Sequence, residues 1–247
     1  MSLLTDPVAF TCGPLAVRWY GLCGAAGFLA AVAHWAWRAR RDGRPAAFGI
    51  DYALVVTVAG VLGGRLTYAL AHAGDFLHRP ADLFRFDRGG MVFLGGFLLA
   101  VAAVSLWGRR RGVGPLALLD FGVTALPLGH ALGRLGCQLN GCCQGVPAPA
   151  PWGVPGPHGA CLPVPLYEAG FNLLLYGFLN RVYGRHRPGA VFGLYLLGYG
   201  AWRFGIEFLR GDVRQSWGPL HVAQWLALAL AIAGGALWQR RRGRAAA

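Results

Sequence analysis

The chain has 247 residues, of which 55% are hydrophobic and only 13% charged, and its formal net charge is +13. A soluble domain carries roughly a quarter charged residues, so the composition excludes an ordinary soluble protein and indicates an integral membrane protein. Every basic residue is arginine, and the arginines occur in short clusters between apolar runs. Such clusters are typical of lipid headgroup contacts and argue against nucleic acid as a partner.

Seven apolar segments predict seven transmembrane helices and an all-α integral membrane fold. Each segment has close to the ~20 residues that a helix needs to cross a hydrocarbon core of ~30 Å. In chain order the predicted spans are Leu15 to Trp37, Tyr52 to Ala71, Met91 to Trp107, Leu116 to Leu135, Leu166 to Tyr183, Ala190 to Leu209 and Val222 to Trp238. We expect no cleavable signal peptide, because Met1 to Pro14 lacks a basic flank and an apolar core.

Arginine clusters follow only the first, third, fifth and seventh spans, which predicts the orientation. The clusters are Arg38, Arg40, Arg41 and Arg44; Arg109, Arg110 and Arg111; Arg185 and Arg187; and Arg240, Arg241, Arg242 and Arg244. By the positive-inside rule, these four ends are cytoplasmic. The sequence therefore predicts one polytopic membrane domain over residues 1–247, with the N terminus outside and the C terminus in the cytoplasm. A Cys- and Pro-rich loop at about 136–165 would then be extracytoplasmic.

Ionisable residues inside the predicted spans point to a functional site, because charges at membrane depth face the protein interior or a cavity. They are Arg65, Arg134, Glu168, Arg203, Glu207 and Arg210. Arg203 and Glu207 are four residues apart and can pair, and Arg210 can share Glu207. The four arginines outnumber the two carboxylates, and a surplus of guanidinium suits a phosphate group. The alternative is a self-contained structural network of ion pairs.

The densest chemistry lies in the stretch from Gly133 to Gly145, which contains Arg134, Asn140 and three cysteines. Arg134 cannot lose its charge and must meet an anion, or else its side chain reaches the headgroups. Four cysteines lie in or beside the outer loop: Cys137, Cys142, Cys143 and Cys161. An oxidising exterior allows a disulfide, such as Cys161 with Cys142 or Cys143. Free thiols and a metal site remain alternatives, although the spacing matches no standard pair of Cys-x-x-Cys zinc ligands.

Several stretches, taken in order, resemble the prolipoprotein diacylglyceryl transferase family of bacterial membrane enzymes. The matching stretches are Val17 to Leu22, Gly63 to Tyr68, Gly89 to Gly96, Gly133 to Gly136 with Asn140 and Gly141, Leu166 to Glu168, Gly198 to Phe204 with Glu207 to Arg210 and Asp212, and Gln224. Each motif is weak alone. The ordered set spans nearly the whole chain and is therefore specific.

The resemblance implies transfer of diacylglycerol from phosphatidylglycerol to the lipobox cysteine of a prolipoprotein, which forms a thioether. It implies a multi-pass protein of the bacterial inner membrane with an extracytoplasmic active site, and neither cofactor nor metal. Carried over by position, Arg134 and Arg203 would hold the phosphate. Asn140 would hydrogen-bond the headgroup. The remaining implied site residues are Tyr20 and Tyr199 as lining, and Arg65, Glu207 and Arg210 as support.

The sequence also departs from the family pattern. Leu94 stands where the third-span motif carries a histidine, and leucine cannot handle the thiol proton. Cys137 and Cys142 replace an asparagine and a glutamate, and Leu162 replaces a further histidine. His130, one turn before Arg134, is a candidate substitute base, or else an interhelical hydrogen-bonding residue. Two alternative functions therefore stay open: a phosphatidylglycerol-using transferase with another acceptor or thiol chemistry, and a lipid-binding paralogue without catalysis.

Overall fold

The computed structural model describes residues 7–13, 15–78, 80–85, 90–156, 159–212 and 216–243. Arg244 of the last arginine cluster and Gly89 of the third-span motif lie outside these residues. The described chain is mostly helical. Its helices are α1 (Trp19–Arg41), α2 (Ala46–Ala71), α3 (Ala73–His78), α4 (Phe93–Arg110), α5 (Pro115–Val123), α6 (Leu126–Leu139), α7 (Val164–Val182), α8 (Ala190–Ile206) and α9 (Val222–Arg241).

A helix lies at each of the seven predicted spans, and arginines occupy the last turns of α1, α4 and α9. Among the described residues, three helical stretches are long and apolar enough to cross a membrane. They are Ala46–Ala71, Pro115–Leu139 and Val222–Arg241. These features place the chain among membrane proteins, while the count of seven spans stays a prediction.

The structure corrects two of the predicted spans. The first helix begins at Trp19, because Leu15–Arg18 forms a strand, β2, paired with β1 (Val8–Cys12). The fourth span is interrupted between α5 and α6. Pro127 lies in the first turn of α6 and has no N–H with which to continue the hydrogen bonding of α5. The Thr124 hydroxyl at the break donates to the Phe121 carbonyl at 2.7 Å.

Short hairpins lie between the helices. Besides β1 and β2, β3 (Val154–Gly156) pairs with β4 (Gly159–Cys161), and β5 (Ser216–Trp217) pairs with β6 (Leu220–His221); all three pairs are antiparallel. Within the described ranges, 3-10 turns occupy Pro80–Phe84 and Glu207–Leu209. The second of these continues directly from α8, and the Arg210 N–H donates to the Glu207 carbonyl at 3.4 Å.

The chain forms two compact units, residues 1–34 with 120–247, and residues 35–119. In the smaller unit α2 packs closely on α4, and a Cβ added at Gly63 would lie 2.5 Å from the Gly95 carbonyl oxygen. In the larger unit α8 packs on α9, and a Cβ at Gly200 would lie 2.6 Å from the Ala227 carbonyl oxygen. Glycine at these positions lets helix backbones approach closely, as in membrane helix pairs.

Candidate active site

The centre of the candidate site is an ion pair between α6 and α7 in the larger unit. The Nε atom of Arg134 lies 3.0 Å from Oε2 of Glu168, whose side chain is almost completely buried. Glu168 lies in the first turns of α7, and the packing of α7 against α6 brings the two side chains together. Sequence reasoning recognised Glu168 as an intramembrane charge but did not include it among the site residues. The structure brings it between two of the predicted arginines.

The Nε–H of Arg134 is directed at His130, one helical turn earlier. The distance from Arg134 Nε to His130 Nε2 is 3.2 Å. A guanidinium can only donate, so Nε2 is the accepting nitrogen and the imidazole is neutral with its proton on Nδ1. His130 is therefore engaged in positioning Arg134. To act as the predicted substitute base at Nε2, it would first have to release that arginine.

Arg134 retains donors for a ligand. Among the described residues its hydrogen bonding involves Nε alone, so its two terminal amino groups donate to no protein acceptor. A guanidinium binds phosphate through two parallel hydrogen bonds, and such a pair of N–H donors is what Arg134 offers. The side chain is 17% exposed, which leaves it open on one side.

The second predicted phosphate ligand, Arg203, pairs with Glu207 one turn later on α8, as predicted from their spacing. The NH1 atom of Arg203 lies 2.6 Å from Oε2 of Glu207, which is fully buried. Arg203 makes no well-aligned hydrogen bond to any described residue, although its charge lies close to that of Glu207. Glu207 thus holds Arg203 in place by charge and leaves hydrogen-bond donors for another anion.

Arg210 joins the same cluster from the segment after α8. Its NH1 atom lies 3.8 Å from Oε1 of Glu168, and its NH2 atom donates to Asp212. Backbone bridging between Gly145 and Arg210 fixes this segment against the loop that follows α6. Glu168 therefore lies between Arg134 and Arg210 and links three parts of the chain.

With Asp212 included, the charges of this cluster are balanced, although the predicted intramembrane charges have a surplus of arginine. The described cluster contains three arginines, Arg134, Arg203 and Arg210, and three carboxylates, Glu168, Glu207 and Asp212. The predicted surplus counted Arg65, which belongs to the other unit, and omitted Asp212. A phosphate at this cluster would therefore contact guanidinium donors that the protein leaves unused, rather than a net positive charge.

Arg65 is buried on α2 in the smaller unit, where its guanidinium donates to backbone carbonyls. Nε donates to Leu83 at 2.8 Å, NH1 to Gly90 at 2.9 Å, and NH2 to both Asp82 and Arg85. These carbonyls belong to the segment between α3 and α4. The structure thus assigns Arg65 to holding this segment, and its predicted role in supporting the phosphate-binding arginines stays a prediction.

The predicted lining residues occupy different environments. Tyr199 lies on α8, and its ring centroid is 5.7 Å from that of His130. Tyr20 is 53% exposed at the start of α1, and its backbone passes close to Gly136, where an added Cβ would lie 3.1 Å from the Tyr20 Cα. Asn140 ends α6, and its buried Oδ1 atom accepts no hydrogen bond from described residues. The free Oδ1 fits a residue that binds a headgroup hydroxyl.

The turn after α6 gathers three thiols. Cys142 N–H donates to the Cys137 carbonyl and Gly141 N–H to the Gln138 carbonyl, which together form a Schellman C-cap with Gly141 at φ 68°. The Sγ atoms of Cys137, Cys142 and Cys143 lie within 4.8 Å of one another. All six cysteines are unbridged, so the predicted disulfide of Cys161 with Cys142 or Cys143 is absent. The Cys161 thiol faces Gln144, with Sγ 3.8 Å from Oε1.

The two loop thiols Cys143 and Cys161 have opposite acidities. A hydrogen bond from Cys137, together with the nearby guanidiniums of Arg134 and Arg210, lowers the pKa of Cys143 to about 5. Burial raises the pKa of Cys161 above its usual range. Cys143 is therefore a thiolate at neutral pH, and Cys161 is a neutral thiol. Both line one side of a cavity of about 310 Å³ that also contacts Gln144 and Asp212.

Comparison with known proteins connects this geometry to a family. The sequence model of the prolipoprotein diacylglyceryl transferase family matches residues 7–240. The chain belongs to this family. Proteins named phosphatidylglycerol–prolipoprotein diacylglyceryl transferase are similar over nearly their whole length. The protein of Methylococcus capsulatus is 37% identical over 242 residues (93% of this chain, 92% of the relative), and that of Cupriavidus metallidurans is 38% identical over 261 residues (98% and 96%).

The family membership predicted from the ordered sequence motifs is thus confirmed. The arginines and carboxylates of the cluster lie on α6, α7 and α8 and in the segment that follows, as the motif order requires. Leu94 lies at the start of α4 in the smaller unit. Cys137 and Cys142, which stand where the resemblance implies an asparagine and a glutamate, are two of the three clustered thiols. Two of the four departures from the family pattern thus lie at the end of α6 and in the turn that follows it.

Proposed function

We propose that this protein transfers the diacylglyceryl group of phosphatidylglycerol to the lipobox cysteine of a prolipoprotein. The observation that carries the proposal is the pair of terminal amino groups on Arg134, which donate to no acceptor among the described residues while carboxylates hold the surrounding arginines in place. The names of the relatives, which describe this reaction for those proteins, support the same assignment.

The reaction exchanges one bond for another. The acceptor sulfur attacks the glyceryl carbon, a C–S bond forms, and the C–O bond to the phosphate breaks, so that glycerol phosphate leaves. The phosphate changes from a diester with one negative charge toward a monoester with nearly two. Contacts from Arg134 and Arg203 therefore strengthen as the C–O bond breaks, which is the condition for a contact to accelerate a reaction.

The departing phosphate can also receive the thiol proton, because a phosphate monoester has a second pKa near 6. The overall reaction then balances without a protein base. This chemistry accounts for activity in a chain with Leu94 at the position of the family's histidine and with His130 engaged by Arg134. Stabilisation of the leaving group becomes the main contribution of the protein.

We further propose that the chain is a single domain that crosses the bacterial inner membrane seven times, with the N terminus and the site outside and the C terminus in the cytoplasm. Helices at all seven predicted spans and arginines in the last turns of α1, α4 and α9 support this arrangement. Labelling of single cysteines introduced into the loops with a membrane-impermeant reagent tests it. Labelling of the 109–111 segment from the outside would contradict the orientation.

A direct assay tests the reaction. Purified protein in detergent is incubated with phosphatidylglycerol and a lipobox peptide, and the peptide mass is followed, with an active relative in parallel. We expect a diacylglyceryl mass increase that Arg134→Ala abolishes. No mass increase while the relative works would contradict the proposal. If the lipid still binds and is consumed in that case, the thiol cluster beside Arg134 favours the second candidate, a transferase that uses the same lipid with another acceptor.

A further inference from the structure

The three thiols of the turn after α6 are grouped by the backbone itself. Cys137 and Cys142 occupy the two ends of the Schellman cap, positions that this motif brings side by side and that are commonly apolar. Cys142 Sγ also lies 3.5 Å from the Cys137 carbonyl oxygen. This contact between helix and turn holds the two sulfurs together without a covalent bond.

The third thiol belongs to Cys143, whose backbone conformation is unfavourable and is fixed by the surrounding structure. Cys143 has φ 61°, the left-handed region that a side chain other than glycine's enters at a cost of about 1–2 kcal/mol. Such a conformation persists where the surroundings fix it. Here Gly211 N–H donates to the Gln144 carbonyl, and Gly145 N–H donates to the Leu162 carbonyl, immediately after Cys143. The fixed backbone keeps the Cys143 sulfur beside the other two.

The sulfur positions suit a metal ion. Three thiolates around one Zn²⁺ at ~2.3 Å place their sulfur atoms about 3.8 Å apart. The observed separations, all within 4.8 Å, require a contraction of at most ~1 Å to reach that distance. Cys137 is buried, whereas Cys142 and Cys143 are half-buried, so the group is accessible from one side.

The surroundings match the charge and hydrogen bonding of such a site. Three thiolates with one divalent cation carry a net charge of −1, and with one monovalent cation −2. The guanidiniums of Arg134 and Arg210 act on Cys143 and offset this charge. The Asn140 side chain hydrogen-bonds the sulfur of Cys142, a support of the kind that orients metal ligands.

We propose that Cys137, Cys142 and Cys143 bind one thiophilic d¹⁰ cation, Zn²⁺ or Cu⁺, through three thiolates. Thiolate ligands select these soft cations over Mg²⁺, Ca²⁺ and Mn²⁺. Each thiol loses its proton to solvent on binding, and no change in oxidation state is involved. The ion fastens the C-terminal end of α6, which carries Arg134, to the loop that follows. The binding stands whether or not the chain transfers diacylglycerol.

The test measures metal retention by the reduced full-length protein without a histidine tag, purified anaerobically in detergent. Zn²⁺ alone and Cu⁺ alone are added in separate arms. Bound metal per chain is measured by elemental analysis after competition with a chromophoric chelator. We expect one equivalent of at least one of the two cations in the natural sequence and in Cys161→Ser, the matched control from the same loop. We also expect metal to raise Tm, because it binds the folded state.

Cys137→Asn with Cys142→Glu places at both positions the residue types that the family motif carries, so this variant should fold. We expect it to lose the bound equivalent and the metal-dependent rise in Tm. Cys143→Ser, which retains two thiols, should bind at least about 100-fold more weakly, since even indirect supports of metal ligands are worth 10–100-fold. Equal retention in all variants, or no retention by the reduced natural sequence of either cation, would overturn the proposal.

Discussion

Two arginines, the buried Arg65 and the partly buried Arg134, occupy similar positions in the sequence, each inside an apolar helix and each within a family motif. The guanidinium of Arg65 donates hydrogen bonds to the backbone carbonyls of Asp82, Leu83, Arg85 and Gly90. Arg134 is held at Nε by His130 and Glu168, and its terminal amino groups donate to no acceptor among the described residues. The protein uses the donors of Arg65, whereas Arg134 retains donors that a ligand could accept.

The difference shows that charge and burial alone do not identify a functional arginine. Both satisfy the expectation that an intramembrane charge is paired. What separates them is how many of the five N–H donors the protein itself uses. An arginine saturated by carbonyls stabilises the backbone. An arginine that the protein contacts only at Nε can offer the N–H groups of its two terminal nitrogens to a phosphate.

The same substitution at both positions should give opposite results, and this is the largest effect we expect. Arg134→Lys keeps the charge that Glu168 requires but loses the two parallel donors, so kcat/KM for transfer should fall about 100-fold while Tm changes little. Arg65→Lys has at most three donors for four carbonyls. It should destabilise the protein by about 2 kcal/mol, roughly 4–8 °C in Tm, with transfer per folded molecule retained.

Transfer is measured by the peptide mass assay, and stability by thermal unfolding in the same detergent. The comparison fails if Arg65→Lys abolishes transfer without lowering Tm, because Arg65 would then contribute to the reaction. It also fails if Arg134→Lys unfolds the protein at the temperature at which Arg65→Lys does.

The sequence predicted those parts of the site that follow from local periodicity. Arg203 and Glu207 pair because four residues make one helical turn, and this pairing is confirmed. The contact between Arg134 and Glu168 depends on how α6 packs on α7, which no local pattern contains. The spacing of the thiols matches no standard set of zinc ligands, and it is a Schellman cap and a left-handed residue that bring Cys137, Cys142 and Cys143 together. The break before Pro127 was likewise hidden in a continuous apolar run.

The next largest effect should come from substitution of Glu168, the carboxylate that lies between Arg134 and Arg210. Glu168→Gln removes one negative charge from a balanced cluster, so phosphatidylglycerol should bind about threefold to tenfold more tightly. Arg134 and Arg210 lose the charge that orients them, and kcat should fall about tenfold. KM and kcat, measured separately in the transfer assay, should therefore both decrease. Asp212→Asn, which removes a more exposed carboxylate, is the matched control and should change both less. Weaker lipid binding by Glu168→Gln would show that Glu168 holds the arginines in their binding geometry.

A smaller effect should follow when the family's histidine is restored by Leu94→His. If Arg134 and Arg203 stabilise the leaving phosphate and that phosphate accepts the thiol proton, no further base is needed. The added imidazole should then change the transfer rate less than about tenfold. A general base typically contributes 10²–10⁴-fold. The rate is measured across pH, with Leu94→Asn as a polar control without a basic group. An increase of 100-fold or more would show that removal of the thiol proton, rather than stabilisation of the phosphate, limits this protein.

The smallest effect we expect concerns how the alkylation of Cys143 depends on pH. This dependence tests the charge around Arg134, the arginine with unused donors. The pKa of this thiol is lowered to about 5 by Cys137, Arg134 and Arg210, against the opposing charge of Glu168. A lowered pKa makes the thiolate the main form above that pH, so alkylation of Cys143 in the metal-free protein should rise with pH through about 5 and then level off. Cys161, whose pKa is raised, should react only toward alkaline pH.

Peptide mass mapping after short exposure to iodoacetamide between pH 4 and 9 separates the two cysteines. Cys137→Ala removes the largest contribution to the lowered pKa, so the midpoint for Cys143 should move to higher pH by about 1–2 units. Arg65→Lys should leave the midpoint unchanged, because Arg65 donates to backbone carbonyls and is not among the groups that lower the pKa of Cys143. A midpoint for Cys143 near that of an ordinary thiol in the natural sequence would mean that the guanidinium charges do not reach this turn. In that case, the charge compensation assigned to Arg134 and Arg210 would also be lost.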